Sequence, residues 1–238
     1  MADSPAKRHL RRVLAAQEAA TRHADQPMDG AGQFELTMMQ LHQDRLRLKQ
    51  IQSNEGKAQL KAQLLPAYDP YVEGVLAEGK GATDEVITTL MLWNMDAGRY
   101  AEGLQLAEYV LAHGMKMPDR FQRTTGCLVA EEVAEAALNA QKVGGTFDGA
   151  ILERAQLLTT DQDMPDEVRA KLHLAQARNI LGVNDPEQVP GEAVNRAVEH
   201  LQAALQLHGS CGGKKDLERA LRAQKKQATA AATGDSNG

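Results

Sequence analysis

Large aromatic side chains are nearly missing: three Phe, four Tyr and one Trp make 3% of a 238-residue chain. A core without rings must be filled by Leu, Val, Met and Ala, and the abundance of Ala, Leu, Gln and Glu favours helices. Cysteine is almost as rare. Cys127 and Cys211 stand far apart with no C-x-x-C spacing, which excludes a disulfide framework and a zinc ribbon and suggests a reducing compartment. No apolar run reaches the roughly 18 residues of a membrane span. The start reads as a basic helix without the apolar centre of a secretion signal, so a cytosolic protein is expected and no membrane partner. Strict alternation of apolar and polar residues is also lacking, so strands are not expected.

What is present is charge, unevenly placed. The formal total is −5, yet residues 1–24 sum to +3 through Lys7, Arg8, Arg11, Arg12 and Arg22. Residues 214–238 also sum to +3, leaving −11 between them. An acidic body with two basic ends points to partners, and the segment PAKRHLRR (5–12) is its densest cation cluster. Each of these cations can neutralise one phosphate, and an oligomer would multiply the effect. Lys7, Arg8, Arg11, Arg12 and Arg22 are therefore the candidate DNA-binding residues, a merely solvated helix face being the alternative reading of the same cluster.

Apolar residues recur at three and four, predicting an all-α fold: a multi-helix array with one long amphipathic helix and tetratricopeptide-like helical hairpins. Ser4 followed by Pro5 starts the first helix, which runs to about Ala24 before a Pro/Gly break. A long helix is expected from about Gln33 to Leu64. It carries Phe34, Met38, Leu41 and Leu48 on one stripe, with Met39 and Leu46 beside it, and suits self-association. Arg45 interrupts its heptad. The stretch W-N-M-D-A-G-R-Y-A-E-G-L (93–104) has the aromatic, glycine turn and tyrosine of a tetratricopeptide-type hairpin. Further helices are expected at about 71–78, 125–142, 148–158, 165–181, 191–208 and 214–226. The organisation expected is a basic helix (1–30), an oligomerisation helix (31–65), an acidic hairpin body (66–213), and a basic helix with a disordered tail (214–238).

Catalytic motifs fare poorly. Gly74-Val-Leu-Ala-Glu-Gly79-Lys80 fits G-x-x-x-x-G-K, but Gly81 replaces the magnesium-binding Ser/Thr, and the segment reads as helix instead of a loop after a strand. Asp161, Asp163, Asp166 and Glu167, with Glu131–Glu132 and Asp84–Glu85, could supply metal ligands to a nuclease. Acids at a helix start are better explained by the helix dipole. Among seven histidines only His208 with Cys211 has ligand-like spacing, which is too few ligands for a zinc site. No nucleophile elbow is visible. No catalytic residue, metal or cofactor is assigned.

Several strings in one order carry a resemblance: S-P-A-K-R-H (4–9), G-V-L-A-E-G-K-G-A-T-D (74–84), M-L-W-N-M-D-A-G (91–98), T-T-G-C-L-V-A-E-E-V-A (124–134) and M-P-D-E-V-R-A-K-L-H (164–173). Together they resemble the small terminase subunits of Peduovirus-type temperate tailed phages, over nearly the whole chain to about Arg222. The resemblance implies a non-structural protein of the host cytoplasm, absent from the virion, that recognises the packaging site on double-stranded viral DNA. It implies a homo-oligomer, of ring form, and docking to the large terminase subunit, which holds the ATPase and nuclease. Proteins of this family are often labelled the endonuclease subunit, so a metal-dependent nuclease is one alternative; an adaptor that binds only the large subunit is another. A longer basic C-terminal extension would be expected than the Ala/Thr/Gly-rich tail found here.

Overall fold

The computed structural model describes residues 4–24, 26–30, 32–117, 123–182 and 186–234. Among them it is all-α: α1 (Pro5–Ala20), α2 (Gly32–Lys49), α3 (Asn54–Leu64), α4 (Asp69–Glu78), α5 (Glu85–Asp96), α6 (Tyr100–Ala112), α7 (Thr125–Lys142), α8 (Gly149–Thr159), α9 (Asp166–Leu181), α10 (Gly191–Leu207) and α11 (Lys214–Gly234). No helix is long and apolar enough to cross a membrane among the described residues. The chain divides into two compact units, residues 1–125 and 126–238. The basic helix and the segment after it are thus part of the first unit, and the acidic middle is shared between both.

In the first unit α1 lies on α4, and the seam is tight because Gly74 has no side chain. A Cβ there would sit 2.4 Å from the Arg12 carbonyl oxygen and 2.9 Å from the Ala15 Cβ. The phosphate-loop lookalike is therefore helix, with its first glycine used for packing. The turn after α1 is stitched to residues 80–83: Met28 N–H donates to Thr83 O (3.2 Å) and Thr83 N–H to Gln26 O (3.0 Å). Met28, 1% exposed, fills the space beneath.

The long helix expected over 33–64 is two helices, α2 and α3, parted at residues 50–53. Ser53 is extended (φ −74°, ψ 139°), and its side chain accepts from Gly56 N–H, capping a new start. That cap, together with the packing of both helices against α5, outweighs the helical periodicity across the break. Phe34, Leu41 and Leu48 of the expected self-association stripe face inward and are buried, while Met38 is half-buried. They are core residues of their own protomer.

Helix α5 is buried on all sides from Val86 to Met95, as a central helix must be when neighbours cover its whole girth. Two carboxylates hold this unit's interior. Tyr68 Oη donates to Asp44 Oδ2 (2.7 Å) and Tyr71 Oη to Asp84 Oδ2 (2.5 Å). Asp84 is also the N-cap of α5, accepting from Val86 and Ile87 N–H. Burial pushes its carboxyl up to about 6, against the pull of those bonds. Helices α5 and α6 form the expected hairpin about Gly98 (φ 75°). Helices α2 and α3 also flank α5, and one hairpin set among them gives the tetratricopeptide likeness no further support.

The second unit has a seam of small residues. Ala170 and Ala177 of α9, Ala197 and Ala204 of α10, and Ala220 and Ala223 of α11 are all at most 1% exposed. Such residues let three helices approach closely, and Leu174, Val194 and Leu201 fill the remaining volume. Lys171–Glu135 (2.7 Å) and Gln141 Nε2 to Ala175 O (2.8 Å) tie α7 to α9. His173 and His200 meet between α9 and α10 with 2.9 Å between their Nδ1 atoms. Helix α11 runs to Gly234, beyond the expected end near Lys226, because its Ala-rich continuation is itself a good helix former. Residues 235–238 of the expected disordered tail lie outside the described residues.

Candidate nucleic-acid interface

Helix α1 begins as its sequence dictates: Ser4 accepts from Lys7 N–H (3.4 Å) and Pro5 takes the first helical position. Its first turn contains no acid. Helix N-termini favour anions, since unpaired N–H groups and the macrodipole give them a positive end. Placing Lys7 and Arg8 there works against helix stability, and it makes this end an anion-attracting surface.

The five expected cations are not equivalent. Lys7 and Arg8 are exposed. Arg12 is 49% exposed at its side chain, with Nη1 3.9 Å from Glu73 of α4 and Nη2 3.4 Å from the His9 ring. Arg11 is half-buried and turns toward Gln40 of α2 (3.5 Å). Arg22, beyond the helix, donates to Asp29 O (3.4 Å). The structure therefore groups Lys7, Arg8, Arg11 and Arg12 on two turns and sets Arg22 apart at the other end of α1.

The close neighbour is acidic. Asp69 and Glu73 of α4 lie beside this surface, with Arg12, along a groove of about 790 Å³ between α1, α4, α5 and α6. Burial raises the Asp69 carboxyl, while Arg99 and Arg8 pull it down. These acids moderate the α1 cations, and their nearness is hardly legible from local pattern. The pairing of α1 with α4, about 60 residues on, depends on the Gly74 seam; a small residue between Glu73 and Val75 is the one local hint.

The other candidate chemistry is dispersed. Asp166 and Glu167 occupy the first turn of α9, the electrostatically favoured place for acids. Among the described residues no group of three or more His, Cys, Asp or Glu is arranged to hold a metal ion. His208 lies 3.8 Å from Glu167, and its Nε2 meets Ser210 Oγ (2.8 Å). Cys127 is buried and Cys211 half-buried, both as free thiols.

An α-helical chain with a basic front turn and an acidic remainder is the class these features define. The family model of the phage small terminase subunit matches residues 38–167. A relative from Escherichia phage P2, named "Terminase, endonuclease subunit", is 42% identical over 216 residues, covering 91% of this chain and 83% of the relative. No solved structure matches. The chain belongs to the phage small terminase subunit family, and its role lies in the packaging of phage DNA.

Proposed function

We propose that this subunit binds double-stranded viral DNA through Lys7, Arg8, Arg11 and Arg12 on α1, self-associates so that the contact is repeated, and presents the DNA to the large terminase subunit. The observation that carries the reading is the acid-free basic first turn of α1, where the helix end and the side chains add their positive potentials. Arg22 is a flanking contact in this scheme. The net charge of −11 over residues 25–213 repels phosphate from that part of the surface, which favours the front helix as the DNA contact. Packaging takes place in the host cytoplasm, and self-association takes the form of a ring.

The test is DNA retention at several salt concentrations by the intact chain and by a variant with Lys7, Arg8, Arg11 and Arg12 changed to Ala. The log–log salt slope should shrink by about 3 to 4, one per lost phosphate contact. Unchanged retention would refute the reading in favour of an adaptor for the large subunit alone. The relative's printed name motivates a nuclease arm: magnesium or manganese with supercoiled DNA, comparing wild type with Asp163→Ala and Asp166→Ala. Cleavage lost in those variants would replace the binding role by an enzymatic one.

A further inference from the structure

Helix α2 has a second apolar stripe, on the face opposite its buried one. Leu36 is 59% exposed, Met39 62% and Leu46 47%, whereas Phe34, Leu41 and Leu48 are at most 8% exposed. Leu10 of α1 is 56% exposed, and the Arg11 next to it reaches Gln40 of α2. Leu36, Met39 and Leu46 thus line one exposed face of α2. Single exposed leucines are ordinary, but a contiguous group marks an interaction surface.

The spacing says what the surface fits. Positions 36, 39, 43 and 46 are a, d, a and d of two heptads, the seam by which one helix packs along another. Paired antiparallel with a second copy, this seam is self-complementary. Leu36 meets the partner's Leu46, and Met39 meets the partner's Gln43. On one flank Glu35 faces the partner's Lys49, and His42 faces the partner's His42 at the twofold axis. On the other, Gln40 faces the partner's Gln40, and Gln33 the partner's Arg47. No like-charged Lys, Arg, Asp or Glu pair arises. Glu35 Oε1 accepts from Gly30 N–H (2.9 Å), and its second oxygen has no partner among the described residues. Lys49 is exposed and likewise unpaired among them. A parallel pairing would set Glu35 against the partner's Gln40 and lose both Glu–Lys contacts.

We infer that the outer face of α2, centred on Leu36, Met39 and Leu46, is a twofold interface with a second copy of this chain. The inference rests on the self-association in the proposed function and gives it a surface and a symmetry; a twofold contact closes on a pair, so a ring would be built from such pairs through a second surface. An antiparallel α2 pair also carries both α1 helices with it, since Arg11 holds α1 to Gln40, so the basic turns are duplicated on one assembly.

The experiment is sedimentation equilibrium of the full chain, with circular dichroism as a check on folding. Wild type should form a dimer or an even multiple of it. Met39→Glu and Leu46→Glu change exposed residues and should keep the helical melt, while raising the dissociation constant at least about tenfold. Glu35→Lys and Lys49→Glu should each weaken association about three- to tenfold, as lone exposed ion pairs do, and the double variant should return to within about twofold of wild type. An odd subunit number, Met39→Glu associating as tightly as wild type, or no rescue in the double swap would overturn this interface and leave self-association standing. A strictly monomeric wild type would overturn both.

Discussion

The two units of this chain solve the same packing problem with different materials. All four tyrosines and the only tryptophan belong to the first unit, whereas the second has Phe147 and otherwise no Phe, Tyr or Trp. The first unit anchors phenols on buried carboxylates, Tyr68 on Asp44 and Tyr71 on Asp84. The second relies on an alanine seam and two facing histidines. Each unit also carries a basic helix, and these differ in the same spirit. Helix α11 has Asp216 in its first turn, bonded to Arg178 of α9 (2.9 Å), and its Lys226 pairs with Glu187. Helix α1 has no acid before Glu18. Similar net charge therefore gives unequal electrostatic potential: acids interleaved with cations tie a helix to its own fold, and acids displaced to a neighbour leave its end positive.

The largest effect that would break this comparison is in DNA binding. Changing Lys7, Arg8 and Arg12 to Ala should lower affinity at low salt by about a hundredfold or more, since three phosphate contacts disappear. The matched change of Lys215, Arg219 and Lys225 on α11 should cost less than about threefold. Equal losses, read by filter retention, would mean that charge count alone governs binding.

Next comes packing. Leu90→Ala in α5 and Leu201→Ala in α10 each remove a side chain at 0% exposure, and each should cost about 2–5 kcal/mol. Trp93, 6% exposed and edge-on to Tyr68, reports only the first unit. Its fluorescence midpoint should move with Leu90→Ala and stay in place with Leu201→Ala, while the circular-dichroism transition registers both.

The units should also answer pH in opposite directions. Asp84, pushed up to about 6 by burial, binds its proton more tightly folded than unfolded. Its contribution to stability is present near pH 4 and lost as pH rises through 6, an effect of about 2–3 kcal/mol. Burial and the neighbouring imidazole push His173 down to about 4, and burial lowers His200 too. The second unit is therefore most stable above pH 6.5 and loses about 1–2 kcal/mol as pH falls toward 4, after allowance for partial exposure. Between pH 7 and 5 the Trp93 midpoint in urea should rise as the helical signal of the second unit melts earlier. Asp84→Asn should flatten the first trend and His173→Gln the second.

The smallest effect sharpens the comparison at the helix starts. Ser4→Ala removes the α1 cap and should cost about 0.5–1 kcal/mol. The loss should be visible as faster amide exchange in the first turn of α1, with no change in α11.

Much of this architecture is legible in the sequence, and the limits are specific. Helix existence was readable at nearly every segment, because apolar spacing and caps such as Ser4 and Asp84 are local signals. The break at residues 50–53 is not legible: the apolar spacing continues across it, and only Ser53 marks the new start. Phe34, Met38, Leu41 and Leu48 read as one stripe, of which Met38 is only half-buried, but a stripe does not say whether its own protomer or a second copy will cover it. The basic cluster of α1 is visible as charge; the acids of α4 that temper it are not, because their nearness to α1 arises from a contact between segments about 60 residues apart.

The sequence by itself determined that this chain is helical, that its ends are basic and its middle acidic, and where most helices start, since propensity, capping and charge act within a turn or two. Tertiary structure alone decided which face of α2 is inward, which carboxylates are buried against tyrosines, and which cations of α1 stay exposed. Those outcomes depend on long-range burial, where a glycine's missing side chain or a tyrosine's bond to a distant acid decides between arrangements that are locally equivalent.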